Sequence, residues 1–100
     1  MESANSINGV PIRLTEERWE HIVSNKPYMY SYDDAILKAI EQPTVILGGY
    51  AGSQIAVLAL GRAKYLHVVY KEVSSNDGFV ITAYIGLKYN RDQIIWPRKS

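Results

Sequence analysis

Residues 64–84, KYLHVVYKEVSSNDGFVITAY, alternate apolar and polar side chains on both sides of a short polar break. Leu66, Val68 and Tyr70 interleave with Tyr65, His67, Val69 and Lys71; Phe79, Ile81, Ala83 and Ile85 interleave with Val80, Thr82 and Tyr84. A period of two marks strands with one buried face, and the polar break at 74–78 is a hairpin loop. The pattern predicts strands over 64–73 and 79–87. Upstream, 54–60 is apolar on both faces and predicts a central strand. A shorter strand over 44–47 comes before it, with Gly48-Gly49 as a turn or bulge. Ile94, Ile95 and Trp96, closed by Pro97, predict a last short strand.

The first half of the chain has a helical period instead. Thr15 is placed to cap a helix with Glu16 and Glu17 in its first turn, and Leu14 and Trp19 have the spacing of a hydrophobic staple. Trp19, Ile22 and Val23 form its apolar stripe, and Asn25 and Pro27 end it. Ser31 is the expected cap of a second helix, with Asp33 and Asp34 in its first turn. Its stripe is Tyr32, Ile36, Ala39 and Ile40, and Pro43 stops it. Residues 10–14, with Pro11, read as a short edge strand. Helices first and strands afterwards predict an α+β domain: two N-terminal helices on one face of a four- to five-stranded antiparallel sheet. That domain is expected over 10–97, between a flexible Ser- and Asn-rich tail at 1–9 and a short tail at 98–100.

Composition narrows the chemistry. One hundred residues, 47% apolar and 21% charged, suit one globular domain. No apolar run approaches the length of a membrane span, and MESANSINGV has no apolar stretch typical of a secretory signal. No cysteine is present, which excludes disulfides, thiolate catalysis and cysteine-ligated metal within this sequence. A cytoplasmic address is the default expectation. The net charge of +1 conceals a polarity: residues 1–50 carry a balance of −3 and residues 51–100 one of +4. Such polarity steers a polyanion toward one side, although it equally fits an acidic helical layer beside a basic sheet layer.

If the two alternating strands pair, His67, Lys71, Thr82 and Tyr84 share the sheet face that the helices leave open, and cross-strand neighbours lie within about 5 Å. A proton acceptor or donor, a cation and two hydroxyls are a workable set for metal-independent cleavage of an RNA phosphodiester. His67 titrates near neutrality, Lys71 with Arg62 would hold the phosphate, and Thr82 and Tyr84 would position it. His21, on the first helix, is a rim candidate for proton transfer. Each residue also has an ordinary reading, as a strand former, an edge charge or a solvated helix position. Eight tyrosines interleaved with Lys and Arg suit stacking on unpaired bases; Tyr65 and Lys88, with Arg62, are the substrate-binding candidates. No metal-ligand spacing is present, no cofactor is expected, and the Gly48–Gly52 run lacks the features of a phosphate loop.

LTEERWEHI, AILKAIEQP, KYLHVVYKE, GFVITAY and the closing IIW together resemble a family of small phage- and mobile-element-associated proteins. These have the barnase–EndoU–colicin–RelE-like nuclease fold and are called PBECR-type domains. The resemblance spans about residues 12–96, and YLHVVYKE with GFVITAY is its specific part. It implies a RelE/barnase-like α+β fold, a ribonuclease role as a toxin or effector, and an antitoxin or immunity protein as partner. His21, Lys71, Thr82 and Tyr84 match positions the family keeps. The chain departs from the pattern at Lys26-Pro27, where members carry His-Pro, and at Gly86, where they carry a hydrophobic residue and threonine after TAY. Two functions follow as expectations: an RNA-cleaving enzyme, or a non-catalytic domain of the same fold that binds RNA or a protein.

Overall fold

Seven strands and two helices make up the computed structural model, which describes residues 2–98. The strands are β1 (Glu2–Asn5), β2 (Pro11–Leu14), β3 (Val45–Gly48), β4 (Gln54–Gly61), β5 (Lys64–Ser74), β6 (Asp77–Gly86) and β7 (Ile94–Trp96). They form one sheet in the order β1-β2-β6-β5-β4-β3-β7. The α+β class holds, but the expected four- to five-stranded antiparallel sheet does not. The sheet is larger and mixed, because β2 runs parallel to β6 through Ile12↔Gly78 and Arg13↔Phe79.

The extra strand comes from the segment expected as a tail. Glu2–Asn5 pairs antiparallel with Pro11–Leu14, closed by a turn in which Ser6 N donates to Val10 O and Gly9 N to Ser6 O, both at 2.9 Å. Gly9 takes φ +76°, and Asn8-Gly9 is a strong hairpin signal. The strand itself, ESAN, has neither alternation nor β-propensity. This hairpin is tied to the far end of β5: the Glu72 carboxylate accepts from Ser6 Oγ and from Asn8 Nδ2.

Helix α1 (Glu16–Asn25) begins where Thr15 Oγ1 accepts from Arg18 N at 3.1 Å, and it buries Ile22. Helix α2 (Asp33–Glu41) buries Ile36, Ala39 and Ile40. Ser31 is not its cap. It belongs to the 3-10 turn Pro27–Ser31, and Tyr32 takes the cap position without a side-chain hydrogen bond. Both helices pack on the face made by Ile12, Ala56, Leu58, Leu66, Val68, Tyr70, Val80 and Ala83.

A bulge decides the two faces of the central hairpin. His67↔Tyr84 and Val69↔Thr82 keep one register; Tyr70↔Val80 and Lys71↔Phe79 keep another, with Ile81 the extra residue. An inserted residue inverts the alternation beyond it. Val80 therefore joins Ala83 in the core, and Phe79 falls beside Lys71 on the other face.

The second face is not left open. Val45, Leu47 and Val57 are buried there, with Ile55, Tyr65, Tyr89 and Ile94 packed against them. The chain leaving β6 crosses the sheet to reach β7 beside β3; Tyr89 on this crossover and Ile94 at the start of β7 pack on the second face. That is why 54–60 reads as apolar on both sides: Ala56 and Leu58 meet the helices, while Val57 meets the crossover.

Candidate nucleic-acid interface

His67 sits at the middle of the second face between Val57 and Tyr84, its two cross-strand neighbours. Its ring stacks on that of Tyr84, with centroids 4.7 Å apart and planes 14° apart. Gly86 gives it room, since a Cβ there would lie 3.3 Å from His67 Cε1. Nδ1 lies 3.1 Å from Tyr65 O, so the neutral ring carries its proton on Nδ1 and its lone pair on Nε2. Only 4% of the residue is exposed. Burial pulls the imidazole below its usual pKa, against the smaller opposing effect of the Tyr65 carbonyl, and it pushes the Tyr84 phenol up. Each group is thus held neutral, one as a stacked base and the other as a phenol.

The remaining candidates scatter around this pair. Beyond Phe79 no strand covers the outer side of β6 among the described residues. There Lys26, just past α1, donates from Nζ to Thr82 Oγ1 at 3.3 Å. Lys71 runs toward the loop between β3 and β4, where its Cε is 3.9 Å from the place a Gly52 Cβ would take. His21 lies on the outer side of α1, with Nε2 3.2 Å from Asn25 Nδ2, in a shallow depression with Glu17, Arg18, Glu20 and Ser24. Arg62 is exposed in the β4–β5 turn, at the other end of β5 from Lys71. Seven residues of strand separate Lys64 from Lys71, a span of about 23 Å, so Arg62 and Lys71 stand at opposite ends of the sheet.

The substrate-binding candidates Tyr65 and Lys88 do come together. Ala63, Tyr65, Leu87, Lys88, Tyr89 and Arg91 line one concavity of about 270 Å³ where the crossover passes the start of β5. Tyr65 and Tyr89 meet edge to face, with centroids 5.2 Å apart and planes at 75°. The Arg91 guanidinium lies 5.2 Å from the Tyr89 centroid, and Lys64 Nζ lies 5.3 Å from that of Tyr32. Among the described residues the only ion pair is Arg13–Asp77, far along β6; Arg62, Lys88 and Arg91 are exposed without a carboxylate partner, while Lys64 turns to the helix side over Tyr32. Comparison with family models, curated proteins and solved structures gives no match.

Leu87, Tyr89 and Arg91 are not among the residues the sequence marks for substrate binding. The available signal was the run LKYNR, cation and aromatic in alternation, but it has no strand or helix period to place it. Elsewhere Glu2, Asp33 and Asp34 bring carboxylate oxygens within 4.8 Å of one another. Exposed acidic groups of this kind are common without an ion. No helix among the described residues is long and apolar enough to cross a membrane.

Proposed function

We propose that this protein is an RNA-binding module that holds a single strand at the β4–β5 end of its sheet and does not cleave it. The observation that carries this reading is the concavity where Tyr65 and Tyr89 lie beside Lys88 and Arg91, with Arg62 exposed in the adjoining turn. Cations tracking the backbone beside aromatic rings are the usual means of binding single strands. The resemblance to the PBECR-type nuclease fold supports RNA as the polyanion.

Three features weigh against cleavage. His67 is buried, and its Nδ1 is committed to a carbonyl. Where the resembling family carries histidine, Lys26 engages the hydroxyl of Thr82. Lys71 and Arg62 stand too far apart to grip one phosphate. The direct test is charge reversal. Lys88→Glu/Arg91→Glu is expected to abolish retention of a single-stranded RNA at low salt, while Lys71→Glu leaves most of it. Equal loss with both variants, or no loss with either, would overturn the assignment.

A further inference from the structure

We infer that the concavity under the crossover is a slot for one unpaired nucleobase, so that the protein reads the presence of bases and not charge alone. This rests on the RNA-binding reading and deepens it. Leu87 is 78% exposed, yet it stands on the wall of the slot beside the Tyr65–Tyr89 pair. A large apolar side chain held in water at the entrance of an aromatic concavity gains little from folding and much from covering a flat ring. Ala63, also in the lining, has φ +53°, a conformation that glycine adopts at lower cost. A methyl kept there supplies apolar surface that glycine would not, and strained residues of this kind gather at binding sites.

The walls also suit a base chemically. The Arg91 guanidinium lies 5.2 Å from the Tyr89 centroid, and Arg planes stack on bases as aromatic rings do. Lys88 and Arg91 at the rim are placed for the flanking phosphates. At about 270 Å³ the space falls just short of the ~300 Å³ at which pockets for extended small ligands begin. A space of that order suits one flat ring, and a base stacked inside a duplex has no free face to offer it.

The test compares three probes of equal length with the full chain: a single-stranded RNA, the same strand in a duplex, and a ribose-phosphate strand without bases. Single-stranded RNA is expected to bind at least about fivefold tighter than either of the others, the low end of base stacking on protein rings. Leu87→Ser, at an exposed position, is expected to remove most of that advantage while leaving the abasic strand's affinity unchanged. If all three probes bind alike and Leu87→Ser changes nothing, the slot is overturned and the charge-based RNA reading stands. If none binds, both fall.

Discussion

The imidazole of His67 lies parallel to the phenol of Tyr84, 4.7 Å between centroids, with Nδ1 committed to the carbonyl of Tyr65. His67, expected to transfer a proton, and Tyr84, expected to position the substrate, are instead stacked on each other on the second face of the sheet. Burial holds the folded pKa of His67 below 6.5. The unfolded chain then binds the proton more readily, and stability rises with pH in that interval. The contribution is complete above the unfolded value and is lost as pH falls from about 6.5 toward the folded pKa. Urea midpoints measured from pH 8 to pH 5 are expected to decline below 6.5 in the wild type. In His67→Gln the decline over that window should shrink.

The β2–β6 parallel pair depends on the absence of a side chain at Gly78. A Cβ there would lie 2.5 Å from Ile12 Cδ1 and 2.6 Å from Lys71 O. Gly78→Ala is therefore expected to destabilise the fold by roughly 1–3 kcal/mol through overpacking. Gly61→Ala, where nothing lies within 4 Å, is expected to stay within about 0.5 kcal/mol of wild type. Chemical denaturation of the two variants side by side decides the point.

Lys26 couples α1 to the uncovered side of β6 through the hydroxyl of Thr82. A double-mutant cycle with Lys26→Met and Thr82→Val is expected to give a coupling energy of about 0.5–1 kcal/mol. A coupling near zero would remove this contact from the account and free Thr82 for another partner.

Much of this was legible in the residues, and the failures have specific causes. The core side of β5 follows from the alternation of Leu66, Val68 and Tyr70, and α1 follows from Thr15 and the acidic first turn. The swap of Phe79 and Val80 does not, because a bulge at Ile81 leaves no mark in composition. β1 was hidden because ESAN lacks strand propensity, although Asn8-Gly9 announced its turn. His67 is buried against Tyr84 and beside Gly86, cross-strand contacts that the local sequence does not signal. The concavity needed the crossover after β6 to bring Tyr89 to Tyr65.

The proposed binding through Lys88 and Arg91 would be electrostatic, so affinity for single-stranded RNA is expected to fall steeply with salt. In a plot of log affinity against log salt, Lys88→Ala and Arg91→Ala should each reduce the slope by about 0.7, one released counterion on a single strand. Neither change should move the unfolding midpoint. A slope unaltered by both would place the phosphate contacts elsewhere.

The central claim, that this sheet binds RNA without cutting it, is tested most directly in one tube. An end-labelled single-stranded RNA is titrated with purified wild-type protein at low salt, anisotropy is read, and the same samples are then run on a denaturing gel. Saturable binding and full-length RNA throughout are expected, with and without chelator. Absence of binding would contradict the claim, as would shortened RNA whose appearance is abolished by His67→Gln.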